Sequence, residues 1–433
     1  MSKNEEYGKK AHFYIPAGAH TYSRTDEVFP VNAPKVFERS KGVYTWDVDG
    51  NKFIDYAMAC RSVTIGYDYD RVSNAAIAQI HNGNTASKAS KIEVEAAETL
   101  CNLIPWVDMV KFAKNGSTVT SAATKLARAY TGKKYIARCR EHSFFSYDDW
   151  FIGDTVMNAG IPKEIQSLTL QFSFNDIDSV KEIFEKYKGE IAALIMEPCD
   201  SEEPIGNFLQ EVRRLCSEYG VVYILDEMIT GFRWDIQGAC KYYGVEPDLV
   251  TYGKGMANGF SVAALGGKRE IMDMGGLTPG KERVFLISTT HGAEMCGLGA
   301  FVETMQVYRE QGVTEHIWNI GKKLVQGLSD IAKEYSLQDY FYMQGAACSP
   351  NFIVCGKDKK PSLEYRTVFC QEMIKSGILM PYIAIAYEHT EKEVEITLAA
   401  ARKAMKIYSD ALNGDVNQFL LGDIIKPVFR RYN

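Results

Sequence analysis

Long apolar runs are missing from this chain. No stretch of about 18 apolar residues occurs, which argues against a transmembrane helix. The opening, Met1-Ser2-Lys3-Asn4-Glu5-Glu6, is polar and has no apolar signal-peptide centre. The 10 cysteines form no CxxC pair, and the 7 histidines form no HExxH or i,i+4 pair. Neither a disulfide framework nor a zinc centre is therefore expected, and the scattered thiols fit a reduced, cytoplasmic setting. Positive charge is not in excess: 49 Lys and Arg stand against 55 Asp and Glu, a net −6. That balance argues against nucleic acid as a partner. Internal repeats and low-complexity segments are absent too. What is present is an ordinary globular composition, 46% hydrophobic and 24% charged. The 433 residues exceed the roughly 250–300 at which a single core stops growing.

The pattern along the chain predicts three regions. Residues 1–65 contain a hairpin, with Val43–Asp47 and Lys52–Tyr56 flanking an Asp49-Gly50 turn. Residues 66–314 alternate helical stretches with short apolar runs: Met109–Ala113, Ile191–Met196, Val221–Leu225 and Leu249–Tyr252. Such alternation predicts a large α/β domain with a mostly parallel central sheet covered on both faces. Residues 315–433 read as a smaller α+β domain packing with the N-terminal hairpin. It has strand-like pieces near 350–355 and 378–387 and a last helix entered through a Thr390–Glu393 capping box.

Chemistry concentrates at strand ends. Val221–Glu227 is an apolar run closing on Asp226 and Glu227, and Asp248–Tyr252 is followed by Gly253-Lys254-Gly255. Ligands of open α/β sheets bind at the carboxyl ends of the strands. A lysine and an acid on that edge point to pyridoxal phosphate (PLP), held as a Schiff base on Lys254 with Asp226 on the pyridine nitrogen. Read alone, Asp226 is also a helix cap, and Lys254 a surface lysine on a tight loop. Gly253–Gly259 loosely matches a dinucleotide fingerprint, but its third glycine falls one place late. Asn115-Gly116-Ser117-Thr118 opens a helix after a strand; its amides and hydroxyls suit a phosphate, or form a plain N-cap. His142 is a candidate to cover the pyridine face, or a hydrogen-bonded scaffold histidine.

With these residues in place, the chain resembles the class III (ω-type) PLP-dependent aminotransferases. Within them it is most similar to glutamate-1-semialdehyde 2,1-aminomutase. The resemblance runs from about residue 14 to 410 and is densest at Asp226–Arg233 and Pro247–Lys254. It implies the type I fold of PLP-dependent transferases. It further implies that Lys254 carries the cofactor, Asp226 pairs with the ring nitrogen, and Gly116 and Ser117 hold the phosphate. Thr289 matches a threonine reaching the phosphate from the neighbouring subunit, with Thr290 the alternative one register on, so a homodimer is implied. His142 falls at the position of a ring-stacking tyrosine, Glu197 matches a glutamate near the cofactor, and Arg24 matches an arginine binding the substrate carboxylate. Four departures stand out. Thr118 replaces a glutamate and His142 a tyrosine, His291-Gly292-Ala293-Glu294 replaces Ser-Gly-Asn-Pro, and the segment 380–390 is shorter. The loop Phe144–Trp150 is similar to that of aminomutase-like proteins encoded with surface-sugar pathways. The implied activity is amino transfer from a small-molecule donor to a carbonyl acceptor. Intramolecular transfer, as in the aminomutase, is the alternative, and a non-catalytic phospholigand-binding scaffold a distant third.

Overall fold

The Asp47 carboxylate and the backbone freedom of Gly50 make the turn of the N-terminal hairpin. The Asp47 carboxylate accepts the N–H groups of Asp49 and Asn51 at 3.0 and 2.8 Å, and Gly50 takes φ +88°. β1 (Phe37–Lys41), β2 (Tyr44–Asp47) and β3 (Lys52–Asp55) follow as an antiparallel meander. The computed structural model describes residues 1–280 and 282–432. They divide into two units, one of Met1–Tyr69 with Gly312–Arg430, the other of Asp70–Gln311 with Arg431 and Tyr432.

The second unit is built on seven strands: β4 (Met109–Ala113), β5 (Tyr135–Cys139), β6 (Thr169–Phe172), β7 (Ile191–Met196), β8 (Val222–Glu227), β9 (Leu249–Tyr252) and β10 (Ala263–Gly267). They lie in the order β4-β10-β9-β8-β7-β5-β6. β5 through β9 are parallel; β10 runs antiparallel to both its neighbours. The reversal follows from the short connection between β9 and β10, since a parallel return needs a crossover of a dozen or more residues. β7 and β8 are buried along their whole length, as expected of strands covered on both faces. On one face the Phe208–Tyr219 helix packs Leu209, Val212, Leu215 and Cys216 against Leu194 and Tyr223 of the sheet.

The first unit adds β11 (Phe341–Gln344) and β12 (Asn351–Val354), an antiparallel pair, and β13 (Ile378–Leu379), which joins β3 in parallel. Of the apolar stretch 378–387 only these two residues form strand; Pro381 lacks the N–H that a continuing ladder needs. The Glu391–Asn413 helix starts with the Glu393 carboxylate accepting the Thr390 N–H at 3.0 Å and packs on the Val313–Glu334 and Leu363–Lys375 helices. Among the described residues no helix is long and apolar enough to cross a membrane.

Candidate active site

Four neighbouring parallel strands deliver polar side chains to one edge of the seven-stranded sheet. Asp226 lies within β8, paired in register with Thr251 of β9. Lys254 follows two residues after β9 ends, Glu197 one residue after β7, and His142 three residues after β5. β9, β8, β7 and β5 are adjacent in that order, so the strand ends set Lys254, Asp226, Glu197 and His142 in a row.

Asp226 is 2% exposed. Its Oδ1 accepts the Met228 N–H at 3.0 Å and the Thr251 hydroxyl at 2.9 Å. Burial pushes its carboxyl above the ordinary range; the positive charge of Lys254 is the largest opposing influence, ahead of the Thr251 hydrogen bond. The two side chains therefore share one electrostatic environment. Lys254 is half-buried and holds φ +42°, left-handed backbone that a non-glycine residue adopts at a cost of about 1 kcal/mol. It opens a single tight turn, Lys254–Ala257.

The start of the Gly116–Thr131 helix reaches the same place. A Cβ on Gly116 would lie 2.8 Å from Met228 Cε, and one on Gly253 would lie 2.2 Å from that same atom. The Met228 thioether thus lies between two glycines, one at the helix start and one beside Lys254. The helix is capped by Asn115, whose Oδ1 accepts the Thr118 N–H at 2.9 Å. Ser117 is buried, and its Oγ accepts the Tyr147 N–H at 3.1 Å, fastening the Phe144–Trp150 loop to the helix start.

His142 is 2% exposed, with its ring against Phe174 at 5.0 Å and Phe145 at 6.2 Å. Its Nδ1 accepts the Glu197 N–H at 2.9 Å. That bond assigns the remaining proton to Nε2, which is buried and meets no partner among the described residues. Burial lowers its pKa to about 3, keeping the ring neutral. Thr289 and Thr290 are exposed on the turn before the Met295–Gln311 helix, where the Gly292 N–H meets the Thr289 carbonyl at 3.1 Å.

Arg24 belongs to the first unit. There it lines a cavity of about 680 Å³ with Asp55, Cys60, Tyr67 and Tyr382. Burial pulls the guanidinium's pKa down, and Cys60, Tyr382 and Tyr67 outweigh burial and raise it. Met58, Ala59, Cys60 and Arg61 form a left-handed turn, with φ between +41° and +65°. Each such residue costs about 1–2 kcal/mol. The turn is anchored by Asp55, whose Oδ1 accepts the Ala57 N–H at 2.7 Å and whose Oδ2 accepts the Tyr67 hydroxyl at 2.7 Å. Sequence reasoning missed this wall of the Arg24 cavity, because non-glycine residues at positive φ leave no mark in the sequence.

The family model described as Aminotransferase class-III matches residues 28–384. The chain belongs to the class III aminotransferases. It is 32% identical to 3-aminobutyryl-CoA aminotransferase of Cloacimonas acidaminovorans, over 94% of this chain and 97% of that one. It is 31% identical to glutamate-1-semialdehyde 2,1-aminomutase of Sulfurihydrogenibium azorense, over 94% and 99%. The FumI protein of Sphingopyxis sp. MTA144, solved in its PLP internal aldimine form, superposes with a TM-score of 0.84 at 26% identity, covering 95% and 96%. This class III chain is therefore a PLP-dependent enzyme of the aminotransferase or aminomutase type, acting on small molecules, on the PLP-dependent transferase fold. Its own residues fit that cofactor. A buried anion beside a half-buried lysine matches a cationic ring bearing an aldehyde, and the amide-bearing helix start beside Gly116 matches a phosphate.

Proposed function

We propose that this enzyme catalyses intermolecular transamination between an amino donor and a carbonyl acceptor. The observation that carries this reading is the row of strand ends, in which Asp226 feels the charge of Lys254. Lys254 is the residue that holds the cofactor's aldehyde, and its Nζ, once released, moves the proton to and from the substrate carbon. Asp226 holds the proton on the ring nitrogen. Gly116 and Ser117 hold the phosphate, aided by Thr289, or Thr290, of the partner subunit in a cytoplasmic homodimer. His142 and Glu197 border the ring, and Arg24 receives an acidic group of the substrate. Bound at this edge, PLP supplies a sink for the electron pair left when a Cα–H bond breaks. The amine of Lys254 then provides general acid–base catalysis, which contributes about 10²–10⁴-fold.

Lys254→Ala is expected to remove the visible absorbance of the purified protein and to lower turnover by at least about 10²-fold. A coloured, active Lys254→Ala protein would overturn the reading. The mutase alternative draws support from Arg24 and from the 31%-identical aminomutase. Dependence on added amino donor separates the two: without donor, a transaminase already loaded with the amino group delivers it once and stops, whereas a mutase continues over many turnovers. Sedimentation of a fully active monomer would remove the homodimer.

A further inference from the structure

Lys114 precedes the Asn115 cap of the Gly116–Thr131 helix and joins three segments. Its backbone carbonyl accepts the Ser261 hydroxyl at 2.6 Å. Ser261 lies on the loop running from Lys254 into β10. The Lys114 ammonium lies 2.6 Å from Glu294 Oε2, with both side chains about one-quarter exposed. Glu294 stands immediately before the Met295–Gln311 helix, on the segment that carries Thr289. The other carboxylate oxygen accepts Asn84 Nδ2 at 2.8 Å, while Asn84 accepts the Cys296 N–H on Oδ1 at 3.0 Å and the Met295 N–H on its carbonyl at 2.9 Å. The Lys114 ammonium is the first cause of a Glu294 pKa below the ordinary carboxylate range.

We infer that Lys114 and Glu294 are a positioning pair for the phosphate end of the cofactor, an inference that rests on the function proposed above. Helix-start amides bind an anion only when they converge on it, and Lys114 ties that helix start to two further segments, beside the Asn115 cap and the Ser117–Tyr147 contact. Its carbonyl fixes the start to the Lys254 loop, and its side chain to the segment bearing Thr289. Pairing with Glu294 also holds the ammonium to a carboxylate, so Lys114 acts on the phosphate through the placement of the helix start and not by direct contact. A charge-assisted contact within a hydrogen-bonded network is stronger than an isolated surface pair. Glu294 lies in His291–Glu294, one of the four departures from the aminomutase pattern, and the pair gives that departure a purpose.

The test titrates apoprotein with PLP and with pyridoxal, which lacks the phosphate, following visible absorbance, while circular dichroism checks folding. Lys114→Met and the near-isosteric Glu294→Gln are each expected to weaken PLP binding about tenfold, the size of one lost charge-assisted hydrogen bond. Pyridoxal affinity should stay within about twofold of wild type, and Lys114→Arg, which keeps the ion pair, should restore PLP binding. Equal losses for both probes would make the pair merely structural and overturn the inference, as would unchanged or tighter PLP binding in Glu294→Gln. A wild-type protein that develops no absorbance with PLP would instead remove the proposed function beneath it. If Lys114→Met does not fold, Glu294→Gln decides alone.

Discussion

Asp226 and Glu227 are consecutive on β8 and both buried, and burial raises the pKa of each above the ordinary carboxylate range. Alternation along the strand turns them to opposite faces of the sheet, and their surroundings differ accordingly. Glu227 is filled with local donors: the Ala239 N–H at 2.9 Å, the Cys240 N–H at 2.7 Å and the Thr230 hydroxyl. Gly238, at φ +90°, lets the loop approach so closely that a Cβ there would lie 2.5 Å from Glu227 Oε1. At Asp226 both hydrogen bonds fall on Oδ1, and the strongest outside charge is that of Lys254. Equal burial therefore serves two ends. One carboxyl clamps a loop, and the other stands at the edge where the chemistry is proposed.

Truncating each residue tests that contrast most severely. Asp226→Ala is expected to lower kcat about 10³-fold, the scale seen when one preorganised electrostatic partner is removed. Its effect on the urea midpoint should be small, because among the described residues only the Met228 N–H and a freely rotating Thr251 hydroxyl lose an acceptor. Glu227→Ala strands two backbone N–H groups and a hydroxyl, each costing about 1–3 kcal/mol when buried and unpaired. It should lose about 3 kcal/mol of stability or more, with kcat of the folded fraction nearly unchanged. If the two variants instead exchange these effects, the faces have been assigned the wrong way round.

A smaller effect is expected at the glycines beside Met228. Gly253→Ala puts a Cβ 2.2 Å from Met228 Cε, and Gly116→Ala puts one 2.8 Å away. Overpacking of this kind costs about 1–3 kcal/mol, moderated here because the crowded atom ends a flexible side chain. PLP affinity should fall more in Gly253→Ala than in Gly116→Ala, and Met228→Ala should recover both. Failure of that rescue would mean that the backbone of the edge, and not the thioether, sets the space there.

The site elements that could be read in the sequence were those made by contiguous patterns. Apolar runs ending in Asp226, Glu197 and Lys254 gave strands in the right places, and the structure lines up their ends. Asn115–Thr118 carried its own cap. β10 was invisible, because Ala263-Ala264-Leu265-Gly266-Gly267 has little of the branched or aromatic character that marks a strand. It is a strand because β4 and β9 flank it, and because Val107 lies so close that a Cβ on Gly266 would meet it at 2.8 Å. The left-handed turn at Met58–Arg61 and the Lys114–Glu294 pair, 180 residues apart in the chain, depend on tertiary context alone. The hydrogen bond that fixes the tautomer of His142 comes from a residue 55 positions away, so its state could not be read locally either.

His142 and His389 carry the comparison to its finest level. Each is buried, each accepts a backbone N–H on Nδ1, at 2.9 Å from Glu197 and 3.0 Å from Ala386, and each leaves Nε2 without a partner among the described residues. Burial lowers both to about 3. The unfolded chain binds these protons near the ordinary 6.5 and the folded one does not until about 3. Unfolded protein therefore holds more protons throughout that window, and stability falls as pH is lowered through it. Over the first pH unit below 6.5 the loss is about 1 kcal/mol per histidine. In apoprotein, His142→Asn and His389→Asn, which keep an acceptor near Nδ1, should flatten the profile of unfolding free energy against pH by equal amounts. With PLP bound they should diverge. His142 lies in the row with Asp226 and gains or loses a neighbour, whereas His389 is stacked on Tyr56 at 4.6 Å in the other unit and does not. Equal slopes in the presence of PLP would place His142 with His389 and Glu227, as part of the scaffold.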